Sequence, residues 1–210
     1  MVVLENVSKT FKDKTVLQRT DLTIESGRIT GFIGRNGSGK TVLFKLICGL
    51  MLPTTGTVTV DGVRIGKDRD FAPDTGVLIE TPSFISYESG LRNLRDLAAI
   101  QKKITVDQVR DAIRLVGLDP DDKKRVGKYS LGMRQRLGIA QAIMENPSLI
   151  ILDEPMNGLD KEGVEDMRIL FAKLRDEGKT ILLASHAAED IDILCDSVYE
   201  LDSGVIHKER

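Results

Sequence analysis

Ile29-Thr30-Gly31-Phe32-Ile33-Gly34-Arg35-Asn36-Gly37-Ser38-Gly39-Lys40-Thr41-Val42-Leu43 is the stretch that decides the fold. Ile29–Ile33 has the apolar, β-branched and aromatic make-up of a short buried strand. It runs directly into a glycine-rich turn and resumes as a helix expected over Thr41–Leu50, stopped by Pro53 and the turn Thr54-Thr55-Gly56. Gly34 to Thr41 fit the spacing of a phosphate-cradling loop, with glycine, four residues, then Gly-Lys-Thr. Glycines let the backbone curl so that successive amides face phosphate oxygens, and the following helix adds its positive end. Gly34, Asn36, Gly37, Ser38, Gly39, Lys40 and Thr41 are therefore candidate contacts to a nucleoside triphosphate. Lys40 is positioned to neutralise the β- and γ-phosphates, and the Thr41 hydroxyl to ligate Mg²⁺. A chance match in a surface turn would lack the strand before it and the helix after it.

Such a loop needs a second metal-binding carboxylate at the end of a neighbouring apolar strand. Leu149-Ile150-Ile151-Leu152 ends in Asp153 and supplies it. Glu154 follows, placed to take a proton from an attacking water. Without the glycine-rich loop, this acidic pair would read as a solvated turn. The next apolar strand, Thr180–Ala184, ends near His186. Parallel strands present their C-terminal ends to one crevice, so His186 is expected near the γ-phosphate. A lone histidine at a strand end would otherwise read as structural.

Strand candidates at Val2–Leu4, Asp21–Ile24, Thr57–Val60 and Val63–Ile65 surround the turn Asp61-Gly62, and Gly76–Glu80 adds another. The middle changes to helical periodicity over Leu91–Gln101 and Val106–Val116, with Thr105 and Gln108 spaced as a capping box. A polar loop over 119–128 leads to Ser130, an N-cap candidate for a helix over Leu131–Met144. Lys161–Arg175, a helix through 190–194 and a strand near Val198–Leu201 complete the chain, with no internal repeat. Apolar strands alternating with helices imply an α/β fold. Its expected form is a P-loop NTPase core with a mostly parallel sheet, an N-terminal antiparallel β subdomain and an inserted α-helical subdomain. Residues 1–84 and 146–210 form the core with its β subdomain, and residues 85–145 the insertion.

The chain has 210 residues, 41% hydrophobic and 30% charged, which suits one large domain in water. Its formal net charge of -2 gives no basic field for nucleic acid, so no nucleic-acid partner is expected. Lys123, Lys124 and Arg125 within the polar loop read as a solvated face. Cys48 and Cys195 lack metal-ligand spacing and read as buried reduced thiols of a cytosolic protein. No apolar run reaches the ~18–20 residues needed to cross a bilayer. No signal peptide opens the chain, since Glu5, Lys9 and Lys12 interrupt any apolar region.

Ser130-Leu131-Gly132-Met133-Arg134-Gln135-Arg136, shortly before the strand carrying Asp153, resembles the signature of the ATP-binding subunits of ABC transporters. The resemblance covers essentially the whole chain. It implies a Mg-dependent ATPase whose cofactors are ATP and Mg²⁺. It further implies that two such subunits, as a homodimer or heterodimer, pair head to tail on ATP, with Ser130 and Gly132 of each closing over the nucleotide of the other. Phe11 falls at the position that stacks on adenine, a flat partner for a flat base. Asp160, in Asn157-Gly158-Leu159-Asp160, falls in the loop that couples the two sites. The partners implied are membrane-spanning permease subunits, which would hold the chain on the cytoplasmic face of the cell membrane.

Three departures qualify the resemblance. Leu131 and Met133 replace a glycine and a glutamine of the usual signature, and Asn157 replaces the commoner serine. Glu80 stands where the family has a glutamine that senses Mg²⁺, which makes it a third metal-ligand candidate beside Thr41 and Asp153. Glu80 and the Ser-Leu-Gly-Met signature together resemble the bacitracin-resistance and lantibiotic-immunity exporters. The rival readings are a soluble ABC-type ATPase acting on DNA or ribosomes and an ordinary P-loop kinase. The first normally carries a coiled coil or a second P-loop, and the second an acceptor pocket. None of these is legible here.

Overall fold

A computed structural model describes all of residues 1–210. Two sheets organise it. The first contains β1 (Val2–Phe11), β2 (Lys14–Ile24), β4 (Thr55–Val60) and β5 (Val63–Arg64), in the order β2-β1-β4-β5 and antiparallel throughout. Its apolar face, with Val2, Leu4, Val7, Leu17, Ile24, Val58 and Val60 buried, packs inward. The turn joining β4 to β5 puts both Asp61 (φ 47°) and Gly62 (φ 80°) in the left-handed region, the geometry that matches hairpin twist. β1 and β2 run well beyond the expected Val2–Leu4 and Asp21–Ile24. Register irregularities between Leu4 and Thr10 break the period-two alternation that would have revealed them.

The second sheet holds β3 (Ile29–Ile33), β6 (Thr75–Leu78), β7 (Leu149–Asp153), β8 (Thr180–Ala184), β9 (Ser197–Asp202) and β10 (Val205–Lys208), in the order β10-β9-β3-β8-β7-β6. It is parallel from β6 to β9, and β10 folds back antiparallel on β9. β10 went unforeseen, although the turn before it, Ser203-Gly204, again carries two positive φ angles. Its residues Val205, His207 and Lys208 are exposed and leave no apolar signal.

Helices α1 (Lys40–Cys48), α5 (Lys161–Asp176) and α6 (Ala188–Leu194) flank the parallel sheet. α2 (Gly90–Gln101), α3 (Val106–Leu115) and α4 (Leu131–Ile143) lie between β6 and β7 in the chain. The foreseen capping box is formed: Gln108 N–H donates to Thr105 Oγ1 at 3.4 Å, and Thr105 N–H to Gln108 Oε1 at 2.9 Å. Alternate residues of β7 point to opposite faces. Ile150 and Leu152 join the core built with α4, α5 and α6, whereas Leu149 and Ile151 join the one built with α1 and the antiparallel sheet.

Two contacts fix where the glycine-rich loop emerges. Phe32 on β3 meets Phe44 on α1 edge to face, with ring centroids 5.4 Å apart and both rings fully buried. Such a pair adds about 0.5–1.5 kcal/mol beyond the burial of its area. At the start of the loop Gly34 (φ 142°) lies so close to the backbone that a Cβ would stand 2.3 Å from Leu201 O. Only glycine fits.

Candidate active site

Between β3 and α1 the chain curls through residues 34–39. Ser38 N–H donates to Arg35 O at 3.1 Å, while the Gly37 and Gly39 amides donate to no backbone carbonyl and remain available to an anion. Gly39, at φ 114°, closes the loop as the N-cap of α1 without a side-chain acceptor, so the helix's positive end also opens onto the cleft. The Ser38 hydroxyl is buried and has no hydrogen-bond partner. An orphaned buried hydroxyl is costly unless something binds it, and a phosphate oxygen is what this loop would offer. The Lys40 ammonium is buried and spans the loop, donating to Gly34 O at 2.6 Å and Arg35 O at 3.4 Å.

Across the cleft, β7 delivers Asp153 from its C-terminal end, 7% exposed. Thr41 Oγ1 donates to Asp153 Oδ2 at 2.6 Å. A hydroxyl and a carboxylate in contact form a hard-oxygen donor pair that fits Mg²⁺. The chain has no cluster of three or more His, Cys, Asp or Glu side chains that could cage a metal. A cation here must complete its shell from phosphate and water, which is the habit of Mg²⁺.

Glu154 turns the chain out of β7 with a left-handed φ of 52°. Its Oε2 lies 2.8 Å from His186 Nδ1 and accepts from His186 N–H at 3.4 Å. With Glu154 as a carboxylate, Nδ1 carries the hydrogen and Nε2 is left to face a ligand. The Glu154 backbone is tied on both sides. Its N–H donates to Ala184 O at 2.9 Å, and its carbonyl accepts from Asn157 N–H at 3.2 Å and Gln135 Nε2 at 3.1 Å.

The cleft is a cavity of about 520 Å³ that brings together Asn36, Gly37, Ser38, Gly39, Lys40, Thr41, Glu80, Asp153 and Glu154. His186 reaches it through Glu154. Glu80, also left-handed at φ 61°, sits at its edge as the partner of Lys45, whose Nζ is 2.5 Å from Glu80 Oε1. Besides Gly34, which borders the cleft at the start of the loop, four candidates lie away from the lining. Phe11 is 42% exposed at the tip of β1, with the Lys9 ammonium 5.0 Å from its ring centre. Ser130 caps α4 by accepting from Met133 N–H at 3.1 Å. Gly132 packs against Gly158, where a Cβ would come 2.9 Å from the carbonyl oxygen. Asp160 caps α5 by accepting from Gly163 N–H at 2.9 Å.

Sequence reasoning missed Lys45, Val16 and Gln135. Lys45 follows Thr41 by one helical turn on a face toward Glu80, a pairing invisible without the fold. Val16 lines the cleft from β2, whose alternation was obscured. Gln135, between Arg134 and Arg136, reads as one more polar residue of the helix, yet it is buried.

The family model described as ABC transporter matches residues 17–157. The bacitracin transport ATP-binding protein BcrA of Enterococcus faecalis is 39% identical over 210 residues, covering 99% of this chain and 67% of that protein. The lantibiotic transport ATP-binding protein SrtF of Streptococcus pyogenes is 32% identical over 210 residues, covering 100% of this chain and 90% of that protein. Among solved structures, the dimeric bacterial ABC transporter cassette MJ0796 superimposes with a TM-score of 0.88 at 26% identity, over 100% of this chain and 99% of that one. A phosphate loop, a facing carboxylate and a Glu–His pair, set in a fold and sequence of this likeness, lead to one assignment: the chain belongs to the ABC transporter family as an ATP-binding, ATP-hydrolysing subunit.

Proposed function

We propose that this subunit pairs with a second ATPase domain on binding Mg-ATP and drives export of antimicrobial peptides through separate membrane-spanning subunits. The observation that carries the reading is the convergence, in one cleft, of the loop amides, Lys40, the Thr41–Asp153 contact and the Glu154–His186 pair. Lys40 and the loop amides bind the β- and γ-phosphates. Thr41 and Asp153 would hold Mg²⁺, which would supply charge neutralisation for the phosphates. Glu154 accepts the proton of the attacking water, and His186 orients the Glu154 carboxylate and faces the γ-phosphate. Glu80 reaches the metal directly or through water, Phe11 stacks on the base, and Ser130 and Gly132 complete the site of the partner domain. Asp160 links the two sites.

A second cavity, about 690 Å³, supports the membrane partner. It is an open groove lined in part by Leu50, Phe71, Leu97, Ile100 and Met144. Leu50, Phe71 and Ile100 are more than half exposed. Two helices connect it to the nucleotide cleft. α1 begins at Lys40 in the cleft and ends at Cys48 in the groove, about 12 Å away along its axis. α4 runs from the cleft residues Leu131 and Gln135 to Ala142 in the groove. A short amphipathic segment of a membrane-spanning subunit suits that groove, whose apolar side chains alternate with charged ones such as Arg69, Lys103 and Glu145, and the chain itself has no helix long and apolar enough to cross a membrane. The relatives BcrA and SrtF support bacitracin-like and lantibiotic peptides as cargo, and a place on the cytoplasmic face of the membrane follows from the partner.

The test is Glu154→Gln. The variant is expected to bind ATP as wild type does, to hydrolyse it at least ~10²-fold more slowly, and to accumulate as an ATP-bound dimer in size-exclusion chromatography. Undiminished turnover would remove Glu154 from the mechanism.

A further inference from the structure

Gln135 is a polar side chain in a place that rewards apolar ones. It lies on α4, five residues after the Ser130 cap, only 6% exposed, with Leu137, Ile139 and Ala140 buried just beyond it. A buried amide must find a partner. Gln135 finds the carbonyl of Glu154, at 3.1 Å.

That carbonyl belongs to the residue whose backbone matters most. Glu154 holds φ 52°, a region that a side-chain-bearing residue leaves unless its neighbours hold it there. Three hydrogen bonds do so. The one to Ala184 O belongs to the sheet, and the one from Asn157 N–H closes the local turn. Of the three, only the bond from Gln135 comes from a side chain and from outside the sheet and the local turn, on the helix inserted between β6 and β7.

We propose that Gln135 is the positioning residue of Glu154. Its amide fixes the Glu154 peptide in the left-handed conformation that turns the carboxylate into the cleft beside His186. The placement of α4 thereby becomes a condition for hydrolysis. The proposal rests on the reading of Glu154 as the proton acceptor. It also gives one helix two duties, since the N-terminus of α4 carries Ser130 and its next turn holds the hydrolytic loop of its own chain. Displacing α4 would lengthen the Gln135–Glu154 bond before it disturbed the phosphate loop, whose contacts lie on β3 and α1.

The experiment uses Gln135→Met, which keeps the length and loses the donor, and Gln135→Glu, which keeps the shape but sets a carboxylate against a carbonyl oxygen. Gln135→Asn, which draws the amide back by one methylene, substitutes for either if it fails to fold. Thermal melting, fluorescent-ATP affinity and steady-state ATPase kinetics are measured on each. The expected result is a fall in kcat of about tenfold for Gln135→Met and more for Gln135→Glu, with KM and ATP affinity within about twofold of wild type. In a Glu154→Gln background, Gln135→Met should lower the residual rate by less than about twofold, because it acts through a group already removed. A purely architectural role would instead lower affinity and melting temperature together with kcat, and would add in full to Glu154→Gln. Wild-type kcat in Gln135→Met, or full additivity, overturns the proposal while leaving Glu154 as the base if Glu154→Gln is inactive. Wild-type turnover in Glu154→Gln overturns both.

Discussion

Replacing Arg168 by Met separates two charges that the fold has taken out of water together. The Arg168 guanidinium on α5 donates through Nε at 3.0 Å and Nη2 at 2.6 Å to Asp190 Oδ1 on α6. The side chains are 12% and 4% exposed. In Arg168→Met the Asp190 carboxylate keeps only the Ser185 hydroxyl, at 3.5 Å, as an unpaired buried charge. Removing one partner of a buried pair costs about 3–5 kcal/mol. Asp190→Asn is milder, because Arg168 still reaches Glu189 at 3.4 Å and Glu165 at 3.5 Å near the surface. About 1–2 kcal/mol is expected there, the scale of a charged hydrogen bond. For a chain of this length each kcal/mol moves the melting temperature by about 2–4 °C. Arg168→Met should therefore melt about 10 °C below wild type and Asp190→Asn about 3–5 °C below. The double variant Arg168→Met/Asp190→Leu should recover most of the loss, since it buries no lone charge. Ser185 also accepts from Ala187 N–H at 3.1 Å, so the pair anchors the loop that carries His186. The single variants should then lower kcat with little change in ATP affinity. Circular-dichroism melting and ATPase kinetics supply both readings. An Arg168→Met protein melting within about 2 °C of wild type, or no more damaged than Asp190→Asn, would refute the reasoning.

Lys40→Ala should weaken ATP binding by at least about 30-fold, the scale of a charged hydrogen bond lost from a buried site, and fluorescent-nucleotide titration reads this directly. Glu80→Gln should weaken the Mg²⁺ dependence of hydrolysis without abolishing it, because Thr41 and Asp153 remain. It should cost less than about 1 kcal/mol of stability, since its pair with Lys45 lies at the surface with the carboxylate 62% exposed. Superimposable rate curves against free Mg²⁺ would mean that Glu80 does not see the metal. Burial pushes the Cys195 thiol up to about 12 from an ordinary 9.0. Below pH 9 the thiol is neutral whether folded or not and costs nothing; from pH 9 toward 12 only the unfolded chain can ionise it, so stability falls by about 1.4 kcal/mol per pH unit. Urea midpoints of wild type and Cys195→Ala should converge across that window.

What could be read from the sequence was what local rules decide. The glycine spacing of residues 34–41, the apolar run ending in Asp153 and the capping box at Thr105 each depend on neighbours in the chain, and each formed as expected. The parallel sheet followed from buried strands such as Leu149–Asp153, which need cover on both faces. What escaped depends on elements far apart in sequence. The Lys45–Glu80 pair joins residues 35 apart, and the Gln135–Glu154 bond joins a helix to a turn beyond the next strand. The lengths of β1 and β2 escaped for a different reason. Bulges shift which residues face inward, and the paired hydroxyls of Ser8 with Thr55 and Thr10 with Thr15 lie on an exposed, polar surface. No hydrophobic period marks such a strand.

The alternation along β7 has a consequence for how the molecule opens. Because Ile150 and Leu152 belong to one core and Leu149 and Ile151 to the other, freeing this strand disrupts both at once. Backbone amides of residues 150–152 should accordingly exchange with deuterium only through global unfolding, and so report the full stability of the chain. The polar loop over 119–125 is bound mainly by local turns such as Asp121 N–H to Asp119 Oδ1, and its amides should exchange orders of magnitude faster through local fluctuation. The strand that ends in Asp153 and leads into Glu154 is thus among the last parts of the protein to let go, which keeps the Asp153 carboxylate facing Thr41 through any local opening elsewhere.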